Sequence, residues 1–585
     1  MTLIHNGEET KISGVRLAPL ISFLHNADIE AAVHAPCGGK QSCGKCKIRV
    51  LSGDCDAPTP RELSFLTAQE VANGTRLACF ARAMGDVTAE TLTEKAQILT
   101  VMGKGGRVAP IVVRREVCMT PPTLADQLDD WARLKEALAM PEATCLPALL
   151  AKLPNVLREG GFTVTVLLAG ECVLDITAGK ANAPLYGLAV DIGTTTVVMA
   201  LVNCETGEVA DTESGLNRQT AFGGDVISRI QYALEHKNGE TALRAAIVEQ
   251  LNGLAAALCA RNGILMADIP AIALVGNTVM THILLGLPTS EIARSPFIPV
   301  CNETMRMPAQ VLGLRLHPEA VSVVAGGVSA YVGGDVTAGV VSSCLAQSAD
   351  LSLFIDIGTN GEIALGNKDA LVSCSTAAGP AFEGGHIRFG TGGVTGAINT
   401  VRIENGKPIC TTIGDAPAIG ICGSGVLDAT AALLDAGILD ETGYLETDDE
   451  VDDVAVYYLT DKIYYTAKDV REIQLAKAAV RAGIDTLLHA LGASEEDVAN
   501  VYLAGGFGNY MNKNSAVRIG LIPPVLRERI VPLGNAAGSG AIQLLLDTAA
   551  QVALAEVREK MTYFELSANP FFQDAYVEQM MFPEG

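Results

Sequence analysis

Four cysteines have a spacing that points to chemistry: Cys37, Cys43 and Cys46 in Cys-Gly-Gly-Lys-Gln-Ser-Cys-Gly-Lys-Cys-Lys, and Cys79 in Leu-Ala-Cys-Phe. The pattern is C-x5-C-x2-C, then 32 intervening residues before the fourth thiol. Three thiolates on a glycine-rich loop and one returning from a distance suit a [2Fe–2S] cluster, whose sulfides must be wrapped by backbone N–H groups. Gly38, Gly39 and Gly44 let the backbone come close. Zinc is the competing reading, but it prefers two C-x2-4-C knuckles, and here there is one knuckle with two singletons. Cys55 reads as a turn cysteine rather than an alternative ligand.

A second chemistry lies in the aspartates. Residues 185–200 form an apolar strand, the turn Asp191-Ile-Gly193-Thr194-Thr195-Thr196, and another apolar strand. One carboxylate, one glycine and three hydroxyls beside free N–H groups can hold a phosphate chain, with Asp191 on Mg2+ directly or through water. The pattern recurs as Asp356-Ile-Gly358-Thr359-Asn360-Gly361-Glu362, 165 residues on (356 − 191), which predicts duplicated half-domains facing one Mg-triphosphate. A third motif, Ala504-Gly505-Gly506-Phe507-Gly508, ends a buried strand in a turn suited to backbone approach under a purine ring. Singly, each is a common structural turn. In this order they resemble the phosphate-1, phosphate-2 and adenosine motifs of the actin, Hsp70 and sugar-kinase superfamily, over residues 185–545. The resemblance implies that Asp191 and Asp356 position Mg2+ and any attacking water. It implies that Thr194, Thr195, Gly358 and Thr359 serve the phosphates, and that Gly505, Gly506 and Phe507 lie near adenosine. Asp225, Asp335 and Glu362 are candidate general bases, each with a blander reading as a turn or supporting carboxylate.

The elements that must position these groups define a multidomain α/β chain. Residues 1–92 are read as a ferredoxin-like domain: Leu17 to Phe23 starts a helix, Lys47 to Leu51 is a strand entering a Ser52-Gly53-Asp54 turn, and Thr59 to Glu62 is a capping box with Pro60 at N1. The cysteine pattern resembles vertebrate-type and bacterial ferredoxins, which implies a β-grasp fold. Residues 93–122 read as a linker, with Gly103-Lys-Gly-Gly106 and Pro121-Pro122. Residues 123–184 read as a small α+β middle domain, with a helix from Leu124 to Met140 capped by Thr123 and anchored by Trp131, and strands Thr163 to Leu168 and Val173 to Thr177. Residues 185–585 read as an actin-like ATPase domain of two lobes, with long helices Thr241 to Arg261 and Ala467 to Leu491. In the second helix Gln474 and Lys477 are within reach of a nucleotide, although a solvated face is the simpler expectation.

Composition bounds the partners. The 585 residues include 66 Asp and Glu against 42 Lys and Arg, a net charge of −24, so a nucleic-acid partner is not expected. With 49% hydrophobic and 18% charged residues the chain is too apolar for disorder. No apolar run reaches the roughly 18 uncharged residues of a membrane span, so no membrane partner is expected. Glu8 and Glu9 interrupt the N-terminus, so no secretory signal is read and a cytoplasmic location is expected. The 15 cysteines are odd in number, which excludes complete intrachain pairing.

The whole chain is similar to the reductive activators of corrinoid-dependent methyltransferases. The matching stretches are Cys37 to Cys79, Val190 to Thr196, Asp225 to Arg229, Asp356 to Glu362, Gly420 to Gly425, Val470 to Lys477, Ala504 to Gly508 and the segment from Phe571 to Pro583. The resemblance implies an ATP-dependent electron transferase. It would carry a [2Fe–2S] cluster, ATP and Mg2+, take electrons from an upstream low-potential donor, and return the Co(II) of a corrinoid protein to Co(I). It also allows a homodimer, which no residue specifies. Competing readings are a small-molecule kinase with an accessory ferredoxin domain, an activator of a radical dehydratase, and a nucleotide-binding redox sensor.

Overall fold

Residues 1–92 build a mixed five-stranded sheet in the order Glu8–Lys11, Thr2–His5, Ala83–Thr91, Lys47–Cys55, Thr75–Leu77. In this computed structural model, residues 1–584 are described except 6–7, 26–32, 34–40, 42–43, 45, 64, 67, 92–107, 359 and 405, and the side chains of 68, 69 and 509. Thr2–His5 runs parallel to Ala83–Thr91, and the helix Leu20–His25 sets Leu20, Phe23 and Leu24 against Leu3, Ile48 and Leu77. This is the β-grasp arrangement that was expected. Its details differ from expectation at three places. The helix starts at Leu20, after Leu17 takes a left-handed backbone with φ 69°. The Ser52-Gly53-Asp54 segment is an irregularity inside a longer strand rather than a turn, because Ala83–Thr91 continues to pair beside it, and Cys55 ends that strand opposite Ala83. Only half of the capping box forms: Thr59 Oγ1 accepts from the Glu62 N–H at 3.1 Å, while the buried Glu62 carboxylate goes to Arg76 and to the Leu77 N–H instead.

A four-stranded sheet follows, ordered Val113–Cys118, Thr163–Ala169, Cys172–Ala178, Thr144–Cys145. Val113–Cys118, within the stretch read as a linker, pairs along the full length of Thr163 to Leu168. The expected helix from Leu124 is shorter. It spans Asp130–Leu138, because Asp129 rather than Thr123 accepts the capping bond from Ala132, and Leu124 is 95% exposed. A second helix, Pro147–Glu159, carries Leu149, Leu153 and Leu157 at helical spacing into the same core, which Trp131 joins from its edge.

From residue 186 onward two six-stranded sheets share one topology. The first runs Val209–Leu216, Thr196–Asn203, Tyr186–Ile192, Ala271–Gly276, Val321–Val324, with Met305–Pro308 at its edge. The second runs Leu371–Thr376, Gly361–Gly366, Ser352–Ile357, Asn500–Ala504, Ile530–Gly534, with Met561–Tyr563 at the other edge. In each, three antiparallel strands are followed by two parallel ones. The repeat in the sequence is thus a repeat in the fold. Each sheet is covered by a long helix: Gly239–Arg261 buries Leu243, Ile247, Leu251, Ala255 and Leu258, and Ala467–Leu491 buries Val470, Ile473, Val480, Ile484 and Leu487. Gly239–Arg261 is also long and apolar enough by composition to cross a membrane, but its buried stripe makes it a core helix of the first lobe.

Two helices lie between the sheets, Gly334–Ser342 and Ala536–Leu546, in a core that draws Ala189 and Ala273 from one lobe and Phe354 from the other. Gly540 makes this possible, since a Cβ there would stand 2.4 Å from the Ala338 carbonyl oxygen. The end of Ala536–Leu546 also holds residues 109–111: Ala109 N donates to Leu546 O at 2.6 Å, and Ile111 N to Leu545 O at 3.1 Å.

Candidate functional site

Pairing of Lys47 with Leu77 continues as the Ala78 N–H donates to Cys46 O at 2.8 Å, which brings Cys79, one residue on, beside Cys46. Their sulfurs lie 3.2 Å apart in the domain core, too far for a disulfide bond, and the Cys79 N–H points at Cys46 Sγ at 3.5 Å. Gln41 donates to the Cys79 carbonyl at 2.9 Å, and Phe65 lies over Gly44 and beside Phe80. Converging thiols with an N–H donated to sulfur form the setting that cluster thiolates take, so these residues fit the group. Cys37 and Cys43, with Gly38 and Gly39, lie outside the described residues.

The second site is built on the two aspartate turns. Asp191 and Asp356 end equivalent strands of the two sheets, and their carboxylates sense each other and Asp335 across the cleft. Burial pushes Asp191 and Asp356 up to about 7 and Asp335 up to about 6. For Asp191 the Asp335 charge adds to burial, while the Asn535 amide works against it; for Asp356 the charges of Asp335, Asp191 and Glu383 add. Glu362, directly across the strand pair from Asp356, is raised well above a normal carboxyl by burial and by Asp335 and Asp356. These carboxylates are half-buried and feel one another's charge, yet among the described residues no three of them converge closely enough to hold a metal ion alone, so they suit Mg2+ that arrives on a polyphosphate and keeps its phosphate and water ligands.

The 193–195 turn is oriented by its surroundings. Asn217 Nδ2 donates to Gly193 O at 2.8 Å, Asn217 N to Thr195 O at 2.8 Å, and Arg229 to Thr194 O. Asn277 Nδ2 donates to Thr194 Oγ1 at 3.0 Å. All three carbonyls are therefore turned into protein, and among the described residues the N–H groups of Thr194 and Thr195 donate to no partner. Backbone N–H groups left without a protein acceptor in such a turn are what phosphate-binding loops offer. Burial pulls Arg229 down, to about 9, which leaves it cationic at neutral pH.

Gly505 does not simply form a turn. It opens the helix Gly505–Tyr510 with φ +83°, and a Cβ there would stand 2.6 Å from Asp356 Oδ1. Gly506 faces open space, and Phe507 stacks on Phe382 with ring centroids 4.9 Å apart. Gly358 faces Glu383, and Thr359 lies outside the described residues. Of the three candidate bases, Asp225 caps the helix Val226–Glu235 by accepting from Ser228 N at 2.8 Å, whereas Asp335 and Glu362 border the cleft. Gln474 and Lys477 are neither solvated nor in the cleft: both are buried, and they donate to Met580 O and Met581 O of the C-terminal segment.

One contributor was not read from the sequence. Asn535 Nδ2 donates to Asp191 Oδ2 at 2.8 Å while its Oδ1 accepts from Gly538 N at 2.6 Å, so the cap of Ala536–Leu546 also orients the carboxylate of the other lobe. Its only signal is an Asn between a strand and an Ala-Ala-Gly run, an ordinary N-cap pattern.

Fold and sites together define a two-lobed actin-like ATPase unit joined in one chain to a ferredoxin-type iron–sulfur domain. Family models agree. The 2Fe-2S iron-sulfur cluster binding domain matches residues 3–84, the RACo linker region 103–183, the RACo middle region 186–348, and the C-terminal domain of RACo, the ASKHA domain, 350–585. The chain is 34% identical to the corrinoid activation enzyme RamQ of Eubacterium limosum over 446 residues, covering 72% of this chain and 75% of that one. It is 25% identical over 431 residues to the [Co(II) methylated amine-specific corrinoid protein] reductase of Methanosarcina barkeri, covering 68% and 77%. A solved structure, the reductive activator for corrinoid,iron-sulfur protein, superposes with TM-score 0.76 at 34% identity over 100% of this chain and 98% of that one. The chain belongs to the family of corrinoid-protein reductive activators.

Proposed function

We propose that this protein is an ATP-dependent reductive activator that delivers one electron to the Co(II) corrinoid of a methyltransferase corrinoid protein and so restores Co(I). The observation that carries this reading is the presence of both sites in one chain: converging cysteines in a ferredoxin domain and a carboxylate-lined cleft between duplicated lobes. When bound by Cys37, Cys43, Cys46 and Cys79, a [2Fe–2S] cluster supplies one low-potential electron, on the order of −400 mV for plant-type centres. Gln41 fixes the Cys79 backbone, the Cys79 N–H is directed at Cys46 Sγ, and Phe65 and Phe80 pack beside this loop. The electron enters from an upstream low-potential donor and leaves to cobalt, so one electron is lost by the activator for each Co(II) reduced.

In the ATPase unit, the 193–195 turn and its counterpart at Gly358 and Thr359 receive phosphates, Asp191 and Asp356 hold Mg2+, and Gly506 and Phe507 border the base. Asn535 ties Asp191 to the helix between the lobes, so loading the cleft favours one arrangement of the lobes. That arrangement sets when the corrinoid protein docks productively. The action is assigned to the cytoplasm, and we divide the chain at residues 92 and 184, with the strand Val113–Cys118 counted in the middle domain rather than in a linker that ends at 122.

The test mixes anaerobically reduced protein with a Co(II) corrinoid protein, with and without ATP, and follows the corrinoid spectrum. ATP-stimulated formation of Co(I) is expected, and Cys79→Ser, which removes a ligand, should abolish both the cluster absorbance and the reduction. Cobalt reduction at the parental rate by Cys79→Ser would overturn the reading.

A further inference from the structure

Arg229 is the largest fully buried side chain of the described residues and has 0% exposure. It projects from the helix Val226–Glu235 into the floor beneath the 193–195 turn. Its Nε donates to Gly223 O at 2.9 Å, one terminal nitrogen to Gln219 Oε1 at 3.2 Å and Met280 Sδ at 3.0 Å, and the other to Thr194 O. Every one of these acceptors is neutral. Among the described residues no carboxylate lies within ion-pair distance; Asp225, one helical turn away, favours the guanidinium through its charge, but its carboxylate is engaged in capping through Ser228 N and does not bond to Arg229. Buried guanidinium groups are as a rule paired with an anion, because taking a charge out of water is costly and neutral acceptors return only part of that cost. The position of this one, a single carbonyl behind a turn in which the Thr194 and Thr195 N–H groups have no protein acceptor among the described residues, indicates where the anion belongs.

We propose that Arg229 is the anion-positioning residue of the nucleotide site: it pins the Thr194 carbonyl inward and sets a positive charge behind the turn that the polyphosphate of a nucleoside triphosphate completes. This rests on the reading of the cleft as an ATP site and goes beyond it, since it assigns the selection for polyphosphate to a residue that no solvent reaches. It predicts discrimination by phosphate charge rather than by base: the guanidinium contributes to ATP and not to adenosine.

The test is equilibrium binding of Mg-ATP and of adenosine to the anaerobic full-length holoprotein, as parent, R229M and R229K. R229M is expected to bind ATP about 10- to 100-fold more weakly, the range for losing a charged hydrogen-bonding group, with adenosine affinity unchanged within about twofold. R229K keeps the charge but not the fork, and should recover part of the ATP loss. Should R229M not fold, R229K carries the test with a loss of about threefold or more for ATP and none for adenosine, on the same range. Unchanged ATP affinity in the folded variants, or equal losses for ATP and adenosine, would overturn the proposal. A parent protein that binds no ATP would instead overturn the nucleotide reading.

Discussion

At the residue scale, the cleft carboxylates make the protein's stability depend on pH and on divalent cations together. Asp191, Asp335 and Asp356 are held at about 7, 6 and 7, above the unfolded value of about 3.9. Between those limits the folded chain binds more protons than the unfolded one. Their stabilising contribution is therefore complete below about pH 4 and is lost as pH rises through about 6 to 7. In chelator the melting temperature should fall between about pH 5.5 and 8. Added Mg2+ should raise it more at pH 8 than at 5.5, by about 2–4 °C for each kcal/mol recovered. An equal Mg2+ effect at both pH values would refute this. Asp191 and Asp356 were legible because a repeated Asp-Ile-Gly-Thr turn stands out in one sequence. Asn535 and Arg229 were not, because an N-cap pattern is common and nothing in Ile-Ser-Arg announces a guanidinium with no solvent contact.

At the element scale, two contacts show why local pattern alone misread some segments. Gly505 reads as a turn residue, yet the structure needs it because the helix start presses on Asp356. Gly505→Ala meets both the positive φ and the 2.6 Å approach, and should cost about 1–3 kcal/mol along with most ATP-stimulated turnover. Calorimetry and steady-state assay check this, and parental values for both would count against it. Gln474 and Lys477 lie on a helix whose buried positions are long-range: Gln474 donates to Met580 O, while Lys477 donates to Met581 O and sits 5.4 Å from the Phe582 ring. No periodicity in residues 467–491 reveals a cover that arrives about a hundred residues later. Removing residues 579–585 should lower stability by about 1–3 kcal/mol by uncovering the surface beneath Phe582 and taking away the carbonyl acceptors of Gln474 and Lys477, and K477M, measured by denaturant unfolding, should cost stability in the full chain and little in the truncated one. The same non-local logic explains the half-formed box at Thr59, where Arg76 claims the Glu62 carboxylate.

At the scale of the whole molecule, the duplicated sheets were legible because their edges are apolar runs joined by matching turns, and the β-grasp domain because its cysteines identify a family. The strand Val113–Cys118 was not, since its partner, Thr163–Ala169, lies beyond two helices. Gly540 packs directly on Ala338 where the two helices between the sheets meet, and Gly540→Ala should cost about 1–3 kcal/mol through overpacking. It should also weaken the ATP dependence of electron delivery more than ATP binding itself; equal losses would show that the helix contact is merely structural. The helix that carries Gly540 has a further consequence through its far end. Residues 109–111, where the chain returns from the iron–sulfur domain, are fastened to Leu545 and Leu546, while the near end of the same rod is fastened by Asn535 to Asp191. Residues 109–111 and the cleft carboxylate of Asp191 are thus tied to opposite ends of one helix, so that any shift of this helix must be felt at both.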